Sequence, residues 1–215
     1  MIVVVTPFFL EAQALLQNLD LSPDGAREAV EGKPFELEGK RLKLLVGGVG
    51  RTELGCTLGS PGMPLDISGA ILAGCAGALI PDLPIGTPVF AGGFYDREPS
   101  SYRSHPQPAW QEGAARQCGG VVGCIVTVDR LVSSGKDRRR LRSFPGALVA
   151  DMESWAFMQA MEGRPHHWAV LRAASDHCDV NTRRNFRDNL GAVGRGISLG
   201  LHALLRTWPH SLRTT

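Results

Sequence analysis

Ile2-Val3-Val4-Val5 is an unbroken apolar, β-branched run with no polar alternation, the pattern of a strand covered on both faces. Runs of the same kind recur at Ala70 to Gly74, Pro88 to Ala91, Val121 to Val126, Ala147 to Ala150 and Trp168 to Ala173. Between them, Glu11 to Leu19, Arg51 to Leu58, Ser134 to Arg142, Glu153 to Met161 and Phe186 to Leu205 can be helical. Phe35 to Leu37 and Leu42 to Val46 read as two strands joined by a turn at Glu38-Gly39-Lys40. Strands alternating with helices predict an α/β fold, with a mainly parallel sheet between helical layers. The 215 residues, 43% of them apolar, suit one domain over 1–215. Arg97 to Gly113, with Pro99, Pro106 and Pro108 among polar residues, reads as a long surface loop.

Three carboxylates, Glu11, Glu153 and Asp176, each follow one of these apolar runs. In an open α/β sheet, ligands bind beyond the carboxyl ends of the strands, so acids placed there can converge although they lie far apart in the chain. Each has an ordinary explanation as well. A glutamate in a first helical turn interacts well with the helix dipole, and an aspartate is a common turn or cap residue. Their joint placement favours one site.

Several function classes fall away on composition. A net charge of +2 gives no broad footprint for nucleic acid or anionic lipid, and the local basic run Lys136, Arg138, Arg139, Arg140 and Arg142 reads as a solvated helix face. The five cysteines form no Cys-x-x-Cys pair, which argues against a disulfide framework and a zinc knuckle, and points to reduced thiols in a cytoplasm. The six histidines show no ligand spacing with the acids, so neither a metal nor another cofactor is expected. No run approaches a membrane span, and no signal core follows the first residue.

Ala150-Asp151-Met152-Glu153-Ser154 and Leu171-Arg172-Ala173-Ala174-Ser175-Asp176 resemble signatures of the purine and uridine phosphorylase superfamily. The resemblance continues through Gly48-Val49-Gly50, Gly74-Cys75-Ala76-Gly77 and the opening that leads to Glu11. The pattern is most similar to the methylthioadenosine/S-adenosylhomocysteine nucleosidases, with hopanoid-associated nucleoside phosphorylases and futalosine hydrolases as relatives. It implies a three-layer α/β/α nucleoside phosphorylase-like fold, a small nucleoside as ligand, a homodimer, and cleavage of an N-glycosidic bond.

By this resemblance Asp176 protonates the imidazole-ring nitrogen of a purine, Glu11 activates water and Glu153 binds the ribose hydroxyls. Protonation by Asp176 requires a raised pKa. Arg172 and Met152 match residues beside and beneath the ribose, and Val49 and Cys75 lie where the pocket meets the water and sugar. Ser175, Ala76 and Gly77 flank the site, Leu131 and Val132 match the segment that walls the base, and Phe186 the aromatic that covers it.

Departures from the pattern bear on the reaction. The phosphorylases' early glycine-aspartate and arginine are replaced by Thr6-Pro7-Phe8-Phe9-Leu10-Glu11, and Ile71-Leu72-Ala73 precedes Gly74 where an arginine is common. A carboxylate at Glu11 repels a phosphate dianion and suits water, so the resemblance implies hydrolysis, with phosphorolysis open through Arg51 and Arg172. Cys75 stands for a serine and Leu131 for an aromatic, which leaves a non-catalytic nucleoside-binding protein as a further alternative. Futalosine hydrolases carry Ser-Asn at the place of Ser175-Asp176, so the aspartate favours an adenine nucleoside such as methylthioadenosine or S-adenosylhomocysteine.

Overall fold

The computed structural model describes residues 1–59, 67–106, 108–164 and 166–209. Its core is a mixed sheet of nine strands among these residues: β1 (Ile2–Thr6), β2 (Phe35–Leu37), β3 (Lys40–Val46), β4 (Gly69–Ala78), β5 (Pro88–Asp96), β6 (Arg103–Ser104), β7 (Val121–Thr127), β8 (Ala147–Asp151) and β9 (His167–Asp176). The order runs β2-β3-β1-β4-β8-β7-β5-β6, and β9 pairs with both β4 and β5. β4, β8, β7, β5 and β9 therefore pair in a closed circuit, with antiparallel joints at β4–β8 and β5–β9. The expected open sheet is half closed.

The helices are α1 (Phe9–Leu16), α2 (Pro23–Val30), α3 (Arg51–Gly59), α4 (Pro108–Cys118), α5 (Gly135–Arg142), α6 (Ser154–Met161), α7 (Thr182–Asp188) and α8 (Leu190–Arg206). Ile2 and Val4 turn to a core containing Leu15 of α1 and Ile197 of α8, while Val3 and Val5 turn to one containing Leu54 of α3 and Trp155 of α6. Alternate side chains of β1 thus enter opposite cores, which is why its sequence shows no polar alternation. A third cluster, with Val126, Leu141 and Phe144, seats α5. No helix of the described residues is long and apolar enough to cross a membrane.

β2 and β3 form a two-residue hairpin, with Leu37 opposite Lys40 and positive φ at Glu38 and Gly39, as a type I′ turn requires. Four expectations need correction. β4 and β5 run past Gly74 and Ala91, because pairing with β9 and β7 carries them on. The loop expected over 97–113 instead holds a short 3-10 turn, β6 and the start of α4, which Pro108 opens at its first position. The helix expected over 186–205 is two helices separated by Asn189, whose side chain donates to the Ser175 carbonyl at 2.8 Å. α2 went unread although Ser22-Pro23 marks its start, with the Ser22 hydroxyl accepting from Gly25 N–H.

Two arginines of the α5 basic run have backbone partners. Arg138 donates to the His177 carbonyl and Arg140 to the Arg97 carbonyl. The run is in part a clamp on neighbouring loops.

Candidate active site

Glu11, Glu153 and Asp176 line one cavity of about 520 Å³ and are 4%, 5% and 2% exposed. Burial of that degree shows that Glu11 is not a solvated surface acid. A second cavity of about 410 Å³, lined by Met158, Met161 and Trp168 among others, contains none of the three acids.

Glu11 lies in the first turn of α1, and its side chain reaches back to accept from the Phe8 N–H at 2.9 Å. Its other oxygen accepts from the Cys75 N–H at 2.7 Å, which pins the carboxylate to β4. Gly74 makes this approach possible, since a Cβ there would stand 2.7 Å from Arg172 Nη1 and 2.9 Å from Glu11 Oε1. Burial holds the Glu11 pKa above its usual value, against the opposing charge of Arg172. Burial and the adjacent Glu11 keep Cys75 a thiol, which can donate towards Glu11.

Glu153 is the N-cap residue of α6 rather than a first-turn acid. It accepts from Gly50 N–H at 2.7 Å, across 103 residues of sequence, and from Arg172 Nη2 at 3.2 Å. β8 is antiparallel to β4 and overlaps only its last residues, so the chain after Ala150 runs back along β4 towards Cys75. Burial pushes the Glu153 pKa up to about 7, with Arg172 pulling it down and the negative neighbours Asp151 and Glu11 adding to the rise.

Asp176 is the last residue of β9, whose strand extends past Ala173. The β4–β9 register shifts beside Gly77, which pairs with Asp176. Neighbours in a regular strand face opposite sides; this bulge lets both Ser175 and Asp176 line the cavity. Asp176 Oδ1 accepts from Cys178 N–H at 2.8 Å and from the Thr182 hydroxyl at 2.9 Å. Ser175 Oγ lies 2.7 Å from Asp176 Oδ2 and 3.3 Å from the Ala76 carbonyl. With one proton and two lone pairs, that hydroxyl can donate to an ionised Asp176, or accept from a protonated one while donating to Ala76. Gly77 keeps the approach open, since a Cβ there would lie 3.2 Å from Asp176 Oδ1.

Of the other expected residues, Met152, Val49, Cys75, Ala76, Gly77, Leu131 and Phe186 line the same cavity. Val132 is buried behind it in the α5 cluster, because Leu131 takes the cavity face. Arg172 is fully buried beneath the floor and is absent from the lining. Its Nε donates to Asp151 Oδ2 at 2.8 Å, so it braces the acids from behind. Among the described residues no group of histidines, cysteines and acids is arranged to hold a metal ion.

Sequence reading gave no role to Asp151, although it sits inside a quoted motif. Asp151 accepts from Thr127 at 2.8 Å, from Ser154 N–H and the Ser154 hydroxyl, and from Arg172. It joins β7, β8, β9 and α6 at one buried point. Thr182, which bonds Asp176, and Arg183 and Arg187, which line the cavity, were missed because only folding back of α7 brings them there; Phe8, the N-cap of α1, lines it as well. No residue of 97–106 or 109–113 lines it.

A family model described as the phosphorylase superfamily matches residues 1–195. Solved structures similar to this chain include the methylthioadenosine/S-adenosylhomocysteine nucleosidase of Streptococcus pneumoniae with a transition-state inhibitor, at 18% identity and TM-score 0.78 over 97% of this chain and 99% of that one. The corresponding nucleosidase of Neisseria meningitidis, in complex with methylthio-immucillin-A, aligns at 20% identity and TM-score 0.78 over 95% and 98%. The futalosine hydrolase of Helicobacter pylori aligns at 17% identity and TM-score 0.76 over 94% and 96%. Among curated protein sequences, none matches the chain.

Proposed function

Since this chain belongs to the phosphorylase superfamily, we propose that it is a purine nucleoside N-ribosyl hydrolase acting on an adenine nucleoside of the methylthioadenosine or S-adenosylhomocysteine type. The observation that carries this reading is the convergence of Glu11, Glu153 and Asp176 on one cavity. Asp176 gives its proton to the purine imidazole nitrogen as the bond between C1′ and the base breaks. Glu153 holds the ribose hydroxyls, and its charge favours the oxocarbenium-like sugar. Glu11 takes a proton from the water that bonds to C1′, so free base and ribose leave together. Met152 and Val49 pack about the sugar, Ala76 and Gly77 lie beside the acid, and Leu131 and Phe186 flank the base. A homodimer would supply a further wall to the mouth, where Phe8, Leu10, Val49 and Leu131 are each more than a third exposed.

Water is favoured over phosphate because the reacting end carries two buried carboxylates, Glu11 and Glu153. The two cations that kept phosphorolysis open have other partners. Arg172 serves Asp151 and Glu153, and Arg51 bonds Asp96 and Asp129 at 2.9 Å each. The test is release of adenine from methylthioadenosine and S-adenosylhomocysteine without phosphate. No release from any purine nucleoside, or release only with phosphate, sinks the hydrolase reading.

The acid side of the rate profile follows from the two glutamates. Glu11 must be ionised to take a proton, and burial holds its pKa above the ordinary 4.5, so activity falls as pH drops while the pH is still above 4.5. Glu153, with a pKa near 7, steepens the same limb. A kcat/KM profile flat down to pH 4.5 contradicts the assignment.

A further inference from the structure

The cavity has buried acids on its floor and two unengaged cations at its mouth. Arg183 and Arg187 stand one turn apart on α7 with Phe186 on the same helical face, and all three line the cavity. Both arginines are exposed, and neither has a hydrogen bond or ion pair among the described residues; the third arginine of α7, Arg184, is 3.4 Å from Asp188. The Phe186 ring lies 6.4 Å from that of Phe8, whose backbone N–H holds Glu11. The cationic face of α7 thus borders the open end of the cavity, between Asp176, which Thr182 of the same helix bonds, and Phe8 beside Glu11. The nearby mouth is otherwise apolar, with Phe8, Leu10 and Val49.

We propose that the substrate preferred at this site carries an anionic group on its five-prime substituent, a carboxylate that Arg183 and Arg187 hold at the mouth of the cavity. This specificity rests on the nucleosidase reading above. The physical case is one of placement. Two guanidinium groups on one face present paired donors suited to a carboxylate, and an apolar stretch between them and the floor suits the connecting chain. Free phosphate shares the same chemistry. It would have to sit beside the buried glutamates to act as nucleophile, whereas these arginines are exposed on the rim.

Two adenosines that differ in charge and hardly in size provide the test: one with a five-prime carboxypropylthio group, the other with the corresponding neutral amide, a carbamoylpropylthio group. Without phosphate, the double variant Arg183→Gln/Arg187→Gln should lose about tenfold in kcat/KM for the carboxylate and less than about twofold for the neutral compound. High salt should reproduce the selective loss in the unaltered protein. Equal losses for both compounds, or none, overturn the proposal. So does turnover that requires phosphate and whose phosphate dependence shifts in the double variant, which would assign the arginines to the nucleophile. If the unaltered protein releases no base from either compound, the nucleosidase reading fails, and calorimetric binding then decides the specificity separately. Tighter binding of the carboxylate, by about tenfold and lost in the double variant, supports it; equal binding, or none, overturns it.

Discussion

Asp176→Asn is expected to leave a folded protein whose adenine release is slower by about a thousandfold, the middle of the range for loss of a general acid. The variant is a sharp test because the amide fits the same contacts. Its oxygen can still accept from Cys178 N–H and Thr182, while its nitrogen donates to Ser175 Oγ, which turns its own proton to the Ala76 carbonyl. Only the transferable proton is gone. Thermal melting should therefore move little while the rate collapses. A variant within tenfold of the unaltered rate would remove Asp176 from the chemistry and leave the departing purine without a named proton donor.

The second large effect is on stability. Arg172→Met is expected to lower stability by about 3–5 kcal/mol at pH 8, or about 6–20 °C in melting temperature, because it strands charges under the cavity floor. Arg172 is fully buried and joins Asp151 to Glu153, with Glu11 also within its field. The pH dependence has a definite sign. Arg172 lowers the pKa values of Glu11 and Glu153, so its removal lifts both further above the unfolded value of 4.5. A carboxylate with a raised folded pKa contributes stability below its unfolded pKa and loses it as pH rises through the folded one. The deficit of the variant should thus be small near pH 4.5 and grow towards pH 8. A melting curve matching the unaltered protein at pH 8 would mean that water, rather than Arg172, neutralises the acids.

Arg172→Lys separates charge from geometry in the same cluster. An ammonium is a point charge and cannot offer Nε to Asp151 and Nη2 to Glu153 together. Part of the stability should return, with Glu153 less well held.

Much of the architecture was legible along the chain. Continuous runs such as Ile2 to Val5 marked doubly covered strands, since burial on both faces leaves no position for a polar residue. Acids after those runs marked the end of the sheet where the cavity lies. The α4 helix escaped notice because its polar, proline-led sequence resembles a loop, although Ala114 and Ala115 pack into the core and Gln111 donates to the Ala91 carbonyl.

What could be read from the chain by itself was the set of buried strands and the placement of three acids after them, because apolar periodicity and residue chemistry are properties of short segments. The tertiary structure alone decided that Arg172 lies beneath the floor, that Asp151 is the hub of the cluster, and that a bulge turns Ser175 and Asp176 to the same cavity. It also brought the α7 arginines to the rim. These features depend on strand register and on a circuit of strands closed by β9, whose partners lie 81 or more residues away along β4 and β5. Such pairing depends on how whole layers pack, and the side-chain pattern of one strand does not name its distant partner.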